Sequence, residues 1–189
     1  MSISPMSREA DLTKALYDCP VGKAGWKQFE DICTEILEYL FSPALEKPIE
    51  QARTYSEVNR RDMVFPNRNL ENGNTQAEKN WHLLFKELGA RMILFEYKNY
   101  DTSEIGHEEV IQAANYLTKT MGNLGVIVGT KLPNDSAHRQ RNTIYTNQGK
   151  LILFLTKDHL KEMLDIKARG EEPSNMIVDL VERFYIQHE

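Results

Sequence analysis

Apolar and polar positions alternate along this chain in blocks of two different periods. From about Gly25 to Phe41 the period is helical, with Trp26, Phe29, Cys33, Ile36, Leu37, Leu40 and Phe41 as the apolar stripe, and Ser42-Pro43 stops it. A short extended segment is expected over 46–52 and a strand over 60–65, RRDMVF, polar at its start and apolar at its end. PNRNLENGN then breaks the pattern. Thr75 is placed to cap a helix buried through Ala77, Trp81, Leu84, Phe85 and Leu88, which Gly89 closes. The run ARMILFEYK, 90–98, reads as a central strand, because it is apolar almost throughout and bounded by glycine and a polar loop. A helix over 107–121 follows, with Val110, Ala113, Ala114, Leu117 and Met121 as its seam and Gly122 at its end. NLGVIVGT (123–130) and LILFL (151–155) are two further buried strands, separated by a basic helical stretch at 137–147. Thr156 and Ser174 are placed to cap two last helices, the second carrying Ile177, Leu180, Val181 and Phe184.

Strands alternating with helices define an α/β class, a mixed sheet flanked by helices. The 189 residues suit a single domain with its core at about 25–155, helices at 156–187, and a peripheral first 20 residues; the 66–75 loop is also expected outside the core. No apolar run approaches the roughly 20 residues that span a bilayer, and the first residues lack an apolar signal core, so the cytoplasm is the expected compartment. Cys19 and Cys33 make neither a disulfide framework nor a ligand cluster. The five histidines are scattered without metal-ligand spacing, and neither a glycine-rich phosphate loop nor a nucleophile-elbow serine is present. The net charge of −5 weighs against nucleic-acid binding, but it is unevenly spread. Residues 51–68 carry net +2 and 131–150 net +3, and local potential governs phosphate binding. Arg60, Arg61, Arg139 and Arg141 are therefore candidates for a nucleic-acid backbone, with solvated surface cations as the alternative for each stretch.

The chemistry concentrates in FEYKNY. Glu96 and Lys98 are two apart on a strand and project from one face, on which Met92 and Leu94 precede them. Such a pair at the end of a buried strand is costly unless it is partnered or opens into a cleft. Asp62 shares a strand face with Val64; if the two strands pair, Asp62 and Glu96 converge on one cation. Magnesium takes hard oxygen ligands and keeps several waters, so two carboxylates and a substrate phosphate suffice, with the backbone carbonyl of Tyr97 as a further candidate ligand. A lysine beside them can orient the attacking water and stabilise the developing charge.

An Asp followed by Glu-x-Lys on the next long strand resembles the PD-(D/E)XK, restriction-endonuclease-like nuclease superfamily. RRDMVF, FEYKNY and IQAANYL carry the resemblance, which spans roughly 25–155. It implies an αβββαβ core, here with an extra C-terminal strand and helices. It also implies Mg2+ (or Mn2+) as cofactor and phosphodiester hydrolysis of DNA, in bacterial members often in defence against foreign DNA. By the same resemblance Asp62, Glu96 and Lys98 are catalytic, and Glu30 of the first helix matches an additional metal-associated carboxylate. Gln112-Ala-Ala-Asn-Tyr116 matches the QxxxY motif of a subset of the superfamily. A double-stranded DNA substrate, a homodimer and a sensor domain or partner protein are the implied associations. Arg61 stands where the name-giving proline would be, and the 66–90 insertion between the two catalytic strands is long.

Each signal alone has an ordinary alternative: a chance Glu-x-Lys on a strand, a surface Arg-Arg-Asp ion cluster, a solvated helix carboxylate. Their order on the expected elements joins them. Two other functions stay open at this level, a non-cleaving module that grips nucleic acid or a partner, and a ribonuclease of the same fold.

Overall fold

The computed structural model describes residues 7–51 and 61–188. Five strands form one sheet in sequence order: β1 (Ile49–Glu50), β2 (Met63–Pro66), β3 (Met92–Lys98), β4 (Leu124–Gly129) and β5 (Leu151–Thr156). The first three pair antiparallel and the last three parallel, so the sheet is mixed. Seven helices flank it among the described residues: α1 (Arg8–Asp18), α2 (Trp26–Phe41), α3 (Gln76–Leu88), α4 (His107–Tyr116), α5 (Asp135–Gln148), α6 (Lys157–Ala168) and α7 (Ser174–Gln187). The succession α2, β1, β2, β3, α4, β4 is the αβββαβ order that the resemblance implied, with α1 before it, α3 inserted and α5, β5, α6 and α7 appended.

Strand alternation divides the core in two. Ile93, Phe95 and Tyr97 pack with α1, α2, α3, α6 and α7, whereas Leu94 packs with Val64 and with α4 and α5. Glu96 and Lys98 continue the Leu94 side by the two-residue period, so α4 lies over them. All six residues of β4 are buried, as expected for a strand covered on both faces.

The long insertion does not separate the strands it interrupts. Its ends are tied by the Asn67 N–H, which donates to the Arg91 carbonyl at 2.9 Å, and by the Asn67 side chain, which donates to the carbonyls of Trp81 and Ala90 at 2.9 and 3.0 Å. Asn67 is 1% exposed, so part of the expected 66–75 loop belongs to the core. Thr75 and Glu78 form a reciprocal capping box on α3, and Gly89 ends it at φ 59.

Four further expectations change. The first 20 residues are not peripheral throughout, since α1 places Leu12 and Leu16, with Cys19 after it, in the larger core. Trp26, expected in the buried stripe, is 53% exposed because it starts α2 beyond the edge of what packs on it. Ser174 does not cap α7: Pro173 is the cap residue, and the buried Ser174 hydroxyl accepts instead from the Asn80 side chain at 2.9 Å.

The fourth is α4, which ends at Tyr116 and not at 121. Cationic side chains from elsewhere in the chain satisfy its last carbonyls: Arg61 Nε and Nη2 donate to the Tyr116 carbonyl at 3.0 and 2.9 Å, and Lys150 Nζ donates to that of Ala114 at 2.8 Å. Leu117 and Met121 are still buried, carried by the turn that follows. Gly122 closes that turn at φ 95, and a Cβ there would lie 2.0 Å from the Gly89 carbonyl oxygen. Arg61→Met is expected to lower stability by about 2 kcal/mol, measured by urea unfolding, because it leaves a helix-end carbonyl without its charged donor. Unchanged stability would mean that water replaces the guanidinium without cost.

Candidate active site

β2 and β3 bring the two acids together. Their register runs Met63↔Phe95, Val64↔Leu94, and one step further places Asp62, just before β2, opposite Glu96. Two hydrogen bonds lock that step. The Asp62 N–H donates to Glu96 Oε1 at 3.3 Å, and the Tyr97 N–H donates to Asp62 Oδ2 at 2.9 Å. In a strand the N–H and C=O of one residue point to the same edge, so the Tyr97 carbonyl also faces the side on which Asp62 sits. The Tyr97 ring turns the other way, into the core, where its hydroxyl lies 3.2 Å from that of Thr34.

Glu96 is 2% exposed although it is ionisable. Burial, and then the facing Asp62 carboxylate, push it up to about 8, against the pull of Lys98 and Arg61. A buried acid beside a second acid is what a dication would relieve, since its charge favours both ionised forms. The donor set here, two carboxylates with a backbone carbonyl on the same edge, is all hard oxygen and fits Mg2+ or Mn2+. Among the described residues no three Asp, Glu, His or Cys side chains come close enough to hold an ion by themselves, so the remaining positions fall to water and substrate.

Lys98 emerges beside the acids, and α4 holds it. Lys98 Nζ donates to Gln112 Oε1 at 2.8 Å, and Gln112 Nε2 donates to the Tyr116 hydroxyl at 2.9 Å. The two residues of the QxxxY match, one turn apart on the polar side of α4, thus form a relay that fixes the ammonium. Glu109 orders the start of the same helix: its Oε2 accepts from the Gly106 N–H and its Oε1 from the Tyr100 hydroxyl.

Glu30, Asp62, Glu96, Lys98 and Gln112 line one open cleft of about 280 Å³, and Tyr116 stands behind Gln112 outside its lining. Glu30 reaches it from α2, 5% exposed, with Oε1 3.4 Å from Lys27 Nζ and 3.5 Å from Gln51 Nε2. Three further lining residues were not expected at the site: Asn99, the buried Phe29 and the exposed Trp26. The Asn99 signal was its place directly after Lys98; its amide binds the backbone of Pro20 and Gly22 and closes the cleft on the side of the α1–α2 connection.

Among the described residues, none of the candidate phosphate-contacting arginines lines this cleft. Arg60 lies outside the described residues. Arg61, expected as a backbone contact, is 7% exposed and its side chain is bound to the Tyr116 carbonyl. Arg139 is exposed on α5, and Arg141 is half-buried at the far edge of the sheet between Phe154 and Phe184. No helix among the described residues is long and apolar enough to cross a membrane.

Fold and cleft together define an α/β protein with a carboxylate–lysine centre at the open end of its sheet. No described protein family matches the chain. It is 26% identical over 170 residues to the 80.3 kDa protein ascribed to transposon gamma-delta in Escherichia coli (strain K12), covering 88% of this chain and 23% of that protein. Among solved structures it is similar to the DNA modification-dependent restriction endonuclease AspBHI, with a TM-score of 0.49 and 14% identity, over 97% of this chain and 41% of that one. The chain therefore spans less than half the length of either protein.

Proposed function

We propose that the chain is a metal-dependent endonuclease that hydrolyses phosphodiester bonds of DNA. The observation that carries this reading is the β2–β3 register, which sets Asp62 against Glu96 with Lys98 two residues on in the same cleft. Asp62, Glu96 and the Tyr97 carbonyl would hold Mg2+, or Mn2+, with Glu30 contributing through water. When bound, the ion supplies an acidified water and neutralises charge gathering on the phosphate. Lys98 orients that water and donates to the oxygen that becomes more negative in the transition state. Gln112 keeps the Lys98 ammonium from rotating away, and Tyr116 in turn keeps the amide of Gln112 in the one orientation that accepts from Lys98. Trp26 and Arg139 are exposed and available to the substrate outside the reacting centre. The substrate is duplex DNA, cut on both strands by a pair of chains, and the biological setting is defence against foreign DNA.

Cleavage of plasmid DNA and of RNA transcripts, each with Mg2+, with Mn2+ and with excess EDTA, tests the reading. DNA nicking that needs the cation and stops with chelator is expected, because two carboxylates do not hydrolyse a phosphodiester without Lewis-acid help. Cleavage that persists in EDTA would overturn the metal centre, and cutting confined to RNA would overturn the substrate.

A further inference from the structure

A second cavity, of about 320 Å³, opens at the far edge of the sheet between β5, α5 and α7. Arg141 and Arg183 line it together with two histidines, and none of its lining residues is acidic. Arg141 crosses the edge strand with its guanidinium carbon 5.2 Å from the Phe154 ring centre and 4.8 Å from that of Phe184. Its Nε is buried without a hydrogen-bond partner, and among the described residues no carboxylate lies within ion-pair distance of Arg141 or Arg183. A cation drawn into an apolar setting without an anion is unfavourable, and burial pulls this guanidinium down from its ordinary range. Leu153, Leu180 and Leu132, the last 68% exposed, give the wall an apolar side, and Thr156 and Gln187 are its uncharged polar members. His159 offers a fixed donor, because its Nδ1 accepts from the Thr156 N–H at 3.1 Å and leaves the proton on Nε2.

We propose that this cavity binds a nucleotide, its phosphate on Arg141 and Arg183 and its sugar and base against Leu132, Leu153 and Leu180. Guanidinium forks match phosphate oxygens pairwise. The volume sits near the roughly 300 Å³ at which small-ligand pockets begin, which suits one nucleotide and nothing much larger. The His159 N–H is placed to meet a base edge. The nucleotide has two possible sources, free in solution or within a nucleic-acid strand. For the second, the two sites are near neighbours at one end of the sheet: Lys98 pairs with Gly129 and Gly129 with Thr156, and Ile105 packs over Gly129 between them. Thr156, on the cavity wall, is thus two strand spacings, roughly 10 Å, from the carboxylate cleft.

The test is calorimetric binding of adenosine 5′-monophosphate, adenosine and inorganic phosphate to the full chain without divalent cation, so its outcome does not depend on cleavage. The monophosphate should bind about tenfold or more tighter than either fragment. Arg141→Met and Arg183→Met should each weaken it about tenfold or more. Arg141→Met should keep its thermal midpoint, since the methionine fills the space between the two rings and removes an unpaired charge; should it fail to fold, Arg183→Met decides. A single-stranded dodecamer added in Ca2+ separates the sources: displacement of the monophosphate assigns the site to a strand, and simultaneous binding assigns it to a free nucleotide. No binding of the monophosphate, affinity equal to that of phosphate alone, or binding indifferent to both substitutions would overturn the proposal.

Discussion

Lys98→Met is expected to slow DNA cleavage about 10²–10³-fold while leaving affinity for uncut DNA within about twofold. That range is the usual cost of removing one donor aimed at charge that develops only in the transition state. Such a loss enters kcat and not KM, because the ground-state phosphate meets the ammonium no more strongly than it meets water. Methionine keeps the length and apolar stem of lysine, so the change is confined to the charge. The same logic grades the relay behind it. Gln112→Ala frees the ammonium without removing it and should cost less than Lys98→Met; Tyr116→Phe leaves Gln112 its bond to Lys98 and should cost least. Single-turnover cleavage with a parallel binding titration reads all three variants. Lys98→Met cutting at the unsubstituted rate would return Lys98 to the surface, and Gln112→Ala matching Lys98→Met would make Gln112 a contact of the substrate itself.

The parts of this centre that were legible in the sequence are those set by strand period. Glu96 and Lys98 share a face because they are two apart, and Leu94 before them fixes which face. The pairing of Asp62 with Glu96 was not legible from spacing, because 34 residues separate them and register is settled by Met63, Val64 and Phe65 against Phe95, Leu94 and Ile93. The order of elements and the family resemblance supplied it. Tertiary contacts wrote the rest. Helical periodicity continued through Leu117 and Met121, yet Arg61 ends α4 from 55 residues upstream, which no window on the helix contains. The surroundings of Arg61 and Arg141 were hidden in the sequence for the same reason. Their charge was visible, but not the carbonyl that engages one or the two aromatic rings that flank the other. Trp26 fitted the stripe at the spacing of Phe29 and Cys33, but in the first turn of a helix that spacing does not ensure that anything packs above it.

The second large effect concerns Glu96, where function and stability oppose each other. Its folded-state value is pushed up to about 8, against 4.5 for the free side chain. Between those values the folded chain holds a proton that the unfolded chain has released, so unfolding sheds a proton and stability falls as pH rises. The loss is absent below pH 4.5, accumulates at about 1.4 kcal/mol per unit, and is complete above pH 8. Glu96→Gln keeps an oxygen to accept from the Asp62 N–H but cannot ionise. In EDTA it should therefore match the unsubstituted protein at pH 4 and exceed it by a few kcal/mol at pH 9. Divalent cation inverts the comparison: millimolar Mg2+ should raise the thermal midpoint of the unsubstituted protein, more so at pH 8 than at pH 6 because binding displaces the Glu96 proton. The variant should show no such rise and no cleavage. Thermal unfolding at the four pH values, with EDTA and with Mg2+, reads the whole pattern. A variant less stable than its parent at pH 9 without metal would show that Glu96 is ionised and paired in the fold, and a variant stabilised by Mg2+ as much as its parent would place the ion elsewhere.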